Sequence, residues 1–246
     1  MSLDYIICVP VYKVNKRVSN SMKSLKGYNV LIIDNSGNQE CKIYEDKYGF
    51  EVLYQTENIG VSRAWNLALE KNKDWTFIVS SSMIFRKSFS YILKMVENFE
   101  GLIFRTNHGW HCIGIHKDVI KKVGRFDQNF YPGYLEDSDF DYRCRLAGIQ
   151  ECHTNNIDAE CQMDGGATRD GVEVRILPLR KYFVSKWNGV EQNHLPLGEL
   201  EGTPTVWSWD ESLFTTPFGN RKKDLSYFPE KSIKELRIEY GFDEQP

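Results

Sequence analysis

Along the first 80 residues, runs of consecutive apolar positions alternate with stretches whose apolar residues recur every third or fourth place. Tyr5–Pro10, Asn29–Asp34, Glu51–Gln55 and Asp74–Ser80 are of the first kind. Their length and β-branching predict buried strands. Between them, Val18, Met22 and Leu25 carry a helical spacing, residues 39–48 read as a short amphipathic helix, and a polar turn at Asn58-Ile59-Gly60 feeds a helix through Leu69. Further along, the pattern predicts a helix over 86–98 and strands at 102–105 and 112–115. It then predicts a helix over 117–123 closed by Gly124, an acidic helix from Glu136 to Gly148, and a strand near 150–154. Residues 155–175 are polar and glycine-bearing. A helix rich in aromatics and bases is expected over 172–187, an aperiodic segment over 188–230, and a last short helix over 232–240.

Strands alternating with helices of about a dozen residues imply an α/β fold, a largely parallel central sheet with helices on both faces. In such sheets ligands bind beyond the carboxyl ends of the strands. Here those ends open into polar loops at Pro10–Lys13, Asp34–Asn38, Thr56–Arg63 and Ser80–Met83, which should form one rim. No G-x-G-x-x-G or Walker-type lysine loop is present, which argues against a dinucleotide or P-loop site.

Composition narrows the class. With 246 residues and 41% hydrophobic content, the chain can bury a substantial core without a metal or disulfide. A net charge of −3 argues against a general nucleic-acid binder. The six cysteines, at 8, 41, 112, 144, 152 and 161, show no C-x-x-C spacing and no N-x-[ST] sequon accompanies them; a reducing, cytoplasmic setting is expected. No apolar run reaches the ~18 residues of a membrane span, and no signal-peptide layout is visible.

The densest chemistry lies at Phe130-Tyr131-Pro132-Gly133-Tyr134-Leu135-Glu136-Asp137-Ser138-Asp139-Phe140-Asp141, four carboxylates within six residues behind an aromatic loop. On a helix beginning near Glu136, positions 136 and 139 share one face and 137 and 141 share another. Acids in a first turn suit the helix dipole, but four beside Tyr-Pro-Gly-Tyr exceed what capping needs. Water-excluding aromatics can raise a carboxylate toward a useful base.

In order, Val9-Pro10-Val11-Tyr12, Ile32-Ile33-Asp34-Asn35-Ser36, Asn58-Ile59-Gly60-Val61-Ser62-Arg63-Ala64-Trp65-Asn66, Ile115–Val119 through Val123–Asp127, Glu136-Asp137-Ser138-Asp139 and Lys181–Trp187 resemble a GT-A-fold glycosyltransferase, most similar to the inverting enzymes of family 2. The resemblance covers residues 4–190 as a catalytic domain and leaves 191–246 as an extension wrapping it. It implies transfer of a sugar from a UDP- or dTDP-linked donor to a hydroxyl of a glycan or glycoconjugate. Pro10 and Tyr12 would lie against the nucleobase, Asp34 and Asn35 would meet base or ribose, and Asn58 and Gly60 would let backbone approach the nucleotide. Arg63 would reach base or diphosphate with its planar donor fork. Asp137 would be the base, with Glu136 and Asp139 orienting it or the acceptor; Asp139 is the alternative base. Trp110, His111 and Tyr134 would line the acceptor pocket. Against these stand plainer readings, with Asp34 as an Asx-turn residue and Arg63 on a solvated helix face.

One departure bears on cofactors. The family's acidic Mn²⁺- or Mg²⁺-binding motif after strand four is replaced by Ser80-Ser81-Ser82, with Ser81 and Ser82 left to face the donor, and hydroxyls are poor anchors for such ions. Asp164 is at most one remaining ligand. No cofactor is therefore expected with certainty. Arg169, Lys181 and Lys186 could clamp the diphosphate instead. His108, His111 and His116 do not have a spacing that converges on a metal from a strand. The competing readings are an inactive nucleotide-sugar or glycan-binding relative and a sugar-phosphate nucleotidyltransferase; the latter resembles a Gly-rich loop after strand one, which Val9-Pro10-Val11-Tyr12 lacks.

Overall fold

The computed structural model describes residues 3–154, 157–161, 174–186 and 229–242. The chain divides into two compact units between Val174 and Arg175. The first carries β1 (Tyr5–Val11), α1 (Lys16–Ser24), β2 (Val30–Asp34), α2 (Lys42–Tyr48), β3 (Glu51–Tyr54), α3 (Val61–Leu69), β4 (Trp75–Val79), β5 (Met83–Phe85), α4 (Ser90–Glu97), β6 (Ile103–Thr106), β7 (Gly109–His116), α5 (Lys117–Val123), α6 (Glu136–Leu146), β8 (Glu151–Thr154) and β9 (Ala159–Cys161).

Seven strands form one sheet in the order β3-β2-β1-β4-β7-β6-β8. All run one way except β7, which is antiparallel to both β4 and β6. The reason is local. β7 follows β6 through a turn too short for a crossover, and a hairpin connection enforces antiparallel pairing. The expected helix over 86–98 begins only at Ser90, because Met83–Phe85 is drawn into a two-stranded ribbon with β9.

Side-chain alternation sorts the core into two layers. Ile7, Val9 and Val11 of β1 face one side with Ile32, Phe77 and Val79, against Val18 and Met22 of α1 and Ile92 and Val96 of α4. Ile6 and Cys8 face the other with Leu31, Ile33, Ile78, Ile113 and Ile115, against Ala64 and Ala68 of α3, Val119 of α5 and Phe140 of α6. Both faces are covered, which is why these strands read as continuous apolar runs.

The second unit carries α7 (Ile176–Lys186) and α8 (Ile233–Glu239). Ser232 and Glu235 cap α8 reciprocally, and the Arg175 guanidinium lies over the Phe242 ring at 5.5 Å. Among the described residues no helix is long and apolar enough to cross a membrane.

Candidate active site

The parallel neighbours β3, β2, β1 and β4 deliver their carboxyl ends to one edge, and backbone hydrogen bonds tie the loops there together. The Asn35 N–H donates to the Val11 carbonyl (2.7 Å), and the Gln55 N–H to that of Asp34 (2.9 Å). Pro10 and Tyr12 are partly exposed at this edge. Asp34 is buried: one carboxylate oxygen accepts the Ser36 N–H (2.9 Å) and the other the Cys41 N–H (2.8 Å). It therefore builds the Asx turn that shapes the β2–α2 loop. Beside it, the buried Oδ1 of Asn35 has no hydrogen-bond partner among the described residues.

The next piece is a clamp between α3 and the loop that leads into the acidic helix. Asn66 donates from its side chain to the Phe126 carbonyl (2.9 Å) and accepts the Phe126 N–H (3.0 Å). One turn earlier, Arg63 Nη1 donates to the Gln128 carbonyl (3.0 Å). At the helix start the Val61 N–H donates to the Pro132 carbonyl (2.8 Å), and the Tyr131 hydroxyl donates to the carbonyl of Asn58 (3.0 Å). Asn58 Oδ1 accepts the Gly60 N–H (2.9 Å), which closes the turn. Asn58, Gly60 and Arg63 are thus built into the same body as the acidic stretch.

That loop enters α6 by an unusual backbone path. Tyr131–Pro132 is a cis peptide, and Tyr134 and Leu135 both take positive φ, 81° and 71°. Two successive left-handed non-glycine residues are costly and persist only where the surroundings dictate them. Here the turn aims the backbone N–H groups of Tyr134 and Glu136 at the Glu136 carboxylate, and leaves the Tyr134 ring exposed.

The carboxylates of α6 then part company. Asp139 is wholly buried and accepts Arg143 Nε at 3.0 Å, with Nη2 at 2.9 Å. Asp141 accepts the indole N–H of Trp110 (3.0 Å) and a bond from Arg105, whose Nε also reaches Glu151 (2.7 Å). Glu136 is buried, and burial together with the Asp137 charge pushes its pKa well above the usual carboxylate range. Its Oε2 has no hydrogen-bond partner among the described residues. Asp137 stays partly exposed; Oδ1 accepts the Ser138 N–H (2.7 Å). Burial, with Asp141 adding to it against the Ser138 hydrogen bonds, raises the Asp137 pKa to about 6. No cation is paired with Asp137 among the described residues.

At the end of β4, the Ser80 and Ser82 hydroxyls lie 2.8 Å apart, and Ser82 Oγ is 3.7 Å from Cys161 Sγ. The Ser80 N–H donates to the His111 carbonyl (2.9 Å). Burial and the neighbouring His108 lower the pKa of the His111 imidazole. Tested against Mn²⁺ or Mg²⁺, this donor set does not fit: neutral hydroxyls bond one another and a thiol, and no group of three metal-ligating side chains exists among the described residues. Trp110 stacks on Trp65 (5.7 Å, 17° between planes) below the Arg105 guanidinium. Of the residues expected to clamp a diphosphate, Lys181 is exposed and Lys186 buried, both on α7. Asp164 and Arg169 lie outside the described residues.

Sequence reasoning placed Asp141 on the face of Asp137 without giving it a role, and it missed Arg105 and Glu151. Arg105 lies 36 residues before Asp141 on β6, and Glu151 sits past the end of α6 on β8, so neither falls in the helical pattern of the acids.

No protein-family model matches the sequence, and no curated protein matches it either. Solved structures do. The chain superposes on TarS from S. aureus with a TM-score of 0.53 at 15% identity, covering 64% of this chain and 36% of that one. It superposes on GalNAc-T7, solved with UDP, GalNAc and Mn²⁺, with a TM-score of 0.60 at 10% identity, covering 98% of this chain and 57% of that one. The chain therefore spans between about a third and just over half of these neighbours' lengths. At such identities the likeness is one of fold, and the fold is GT-A-like, as the sequence resemblance implied.

Proposed function

We propose that the chain is an inverting glycosyltransferase that moves a sugar from a UDP- or dTDP-linked donor onto a hydroxyl of a glycan or glycoconjugate. The observation that carries this reading is Asp137. It is a partly exposed carboxylate with a pKa raised to about 6, in the first turn of α6, after the loop whose Pro132 carbonyl accepts the Val61 N–H, in a GT-A-like fold. A base poised just below neutral pH is matched to taking a proton from a hydroxyl. In the step proposed, the acceptor O–H proton passes to Asp137 as that oxygen bonds to the anomeric carbon. The bond to the diphosphate oxygen breaks on the opposite face, and its electron pair leaves with the nucleoside diphosphate.

The nucleoside would occupy the rim of Pro10, Tyr12, Asp34, Asn35, Asn58, Gly60 and Arg63, where the unpartnered Asn35 Oδ1 offers an acceptor to a base or ribose donor. Ser81 and Ser82 would face the diphosphate, whose charge falls to cations rather than a carboxylate-held metal; Arg169, Lys181 and Lys186 are the proposed clamp. Trp110, His111 and Tyr134 would border the acceptor, with Glu136 beside the base; Asp139, expected to orient the base, is instead taken up by Arg143 inside the fold. The catalytic domain would span 4–190, and the setting would be a reducing, cytoplasmic one, in keeping with six free cysteines.

One observation favours a second reading. The Ser80–Ser82 turn lacks the acidic ligands for a metal, and a chain that had lost catalysis would keep only binding. Calorimetric titration with UDP, GDP, dTDP and their sugars, with and without Mn²⁺, tests the donor site. Metal-independent binding of one diphosphate supports the cationic clamp, and binding only with Mn²⁺ replaces the clamp with a metal site. No binding at all removes the donor assignment. Turnover that Asp137→Asn abolishes separates enzyme from binder.

A further inference from the structure

The four carboxylates at the start of α6 are not equivalent, and the odd one is Asp141. Asp139 is neutralised within the helix by Arg143, which reaches it with Nε at 3.0 Å. Asp141 is instead held from outside the helix. Arg105, on the neighbouring strand β6, is bidentate to Glu151 on β8 (2.7 and 3.1 Å) and also bonds Asp141, while the Trp110 indole on β7 donates to the second Asp141 oxygen at 3.0 Å. The β6–β7 ladder shifts register between Arg105 and Thr106. Arg105 stands at this irregularity, of a kind found beside functional sites. Trp110 is in turn fixed by stacking on Trp65 and by edge contacts with Phe126 and Phe140. Three strands therefore converge on one carboxylate of α6 that does not cap the helix.

Asp141 lies one helical turn beyond Asp137 on the same face. We propose that Asp141 is a positioning residue for Asp137: Arg105 and Trp110 lock its carboxylate in place one helical turn from the base and on the same face, where it acts on the base. This rests on the reading of Asp137 as the base. Among the described residues, the titratable groups acting on Asp137 are Glu136, which burial holds toward its neutral form, and Asp141, whose own pKa burial raises against the pull of Arg105; Arg105 on β6 and Glu151 on β8 join through Asp141. Asp139 and Arg143 pair with each other on another side of the helix. On α5, Lys117 pairs with Asp74 and Lys121 with Asp118 while Lys122 is exposed, and Arg63 on α3 is directed at the Gln128 carbonyl. Asp141 is thus the fixed charge on the base's own face. Removing it lowers the proton affinity of Asp137, and the base becomes weaker but ionises at lower pH.

The test is a carbon-13 NMR titration of aspartate side chains in the full chain, comparing wild type with Asp141→Asn, and with Asp137→Asn to assign the signal. The amide introduced by Asp141→Asn retains an oxygen for the Trp110 N–H, and Arg105 keeps Glu151, so the fold is expected to survive. A second variant, Glu151→Gln, removes a charge from the same network without touching Asp141. The expected result is that Asp137, titrating near pH 6 in the wild type, moves down by roughly one pH unit in Asp141→Asn and little in Glu151→Gln. The acid limb of the kcat/KM profile for sugar transfer should move with it, with KM for the donor unchanged. An Asp137 midpoint that stays put in Asp141→Asn overturns the proposal, as does an equal shift in Glu151→Gln. A midpoint that moves in a protein transferring no sugar upholds the coupling and sinks the transferase reading instead.

Discussion

A methyl group added at Gly60 would sit 3.1 Å from the Pro132 carbonyl oxygen and 3.0 Å from the Tyr131 ring. Gly60 also holds φ at +83°. The turn that opens α3 and the loop that delivers the acidic helix are therefore in backbone contact, with no room for a side chain between them. Gly60→Ala meets a fixed carbonyl and a left-handed backbone together, which makes it costlier than a surface change. We expect a loss of about 1–3 kcal/mol in denaturant-measured stability and a fall of at least roughly tenfold in nucleotide affinity, because the loop must back away. Wild-type affinity in a stably folded Gly60→Ala protein would show that the contact is incidental to the site.

Asp137→Asn separates chemistry from stability in opposite directions. Loss of the base should cut transfer by about 10²–10⁴-fold. The same change should stabilise the fold near neutral pH, since the folded carboxyl is harder to ionise than the unfolded one. Below about 3.8, the ordinary value, both states are protonated and nothing is lost. Between there and about 6 the folded state holds the extra proton, so stability falls as pH rises, and above about 6 the full penalty is present. The variant should thus melt higher than wild type at pH 7.5, by about 1–3 kcal/mol equivalent, with the gap closing toward pH 4. A gap that widens on acidification would mean the carboxylate is stabilised by the fold, and the base assignment would lose its support.

These two residues mark how far the sequence reaches. Apolar runs locate β1, β2 and β4 because strands buried on both faces leave no polar position to hide them, whereas β3, at the sheet edge with Glu51 exposed, shows only as a short partly buried run. Pairing direction is not written in an apolar run, so the reversal of β7 was invisible. The three-residue β5 and β9 are too short for periodicity to register. In the site, crowding of acids marks α6, and the Asp139–Arg143 spacing of four residues is legible as a helical pair. What Asp141 meets is set by long-range contacts. Arg105 reaches Asp141 across 36 residues, and Phe126 meets Asn66 across 60, and neither leaves a local pattern.

Asn66 is the centre of the α3 clamp, and its amide both donates to and accepts from the Phe126 backbone. Asn66→Asp keeps size and the acceptor but turns the donor into an oxygen facing a carbonyl in a buried place. Leaving that carbonyl unmet and burying a charge should cost about 2–4 kcal/mol, more than Asn66→Ala. Thermal melts of the two variants decide the point, and an Asn66→Asp protein as stable as wild type would mean the clamp is not formed.

The Asp139–Arg143 pair gives the sharpest test of whether a carboxylate here is structural. Both side chains are almost entirely excluded from solvent, and the guanidinium also donates to the Val123 carbonyl at 2.5 Å while lying over the Phe140 ring at 5.1 Å. Arg143 thus joins α6 to the end of α5, and Asp139 is what neutralises it. Asp139→Asn leaves a buried guanidinium without its counter-charge, a defect worth about 3–5 kcal/mol. The double change Asp139→Leu with Arg143→Met removes both charges and should recover much of that loss. If Asp139 acted instead as the base, Asp139→Asn would abolish transfer at unchanged stability. Urea melts of the single and double variants, read beside the transfer rate at saturating donor, distinguish the two. We expect the single variant to lose stability, and to lose turnover only in proportion to the protein unfolded.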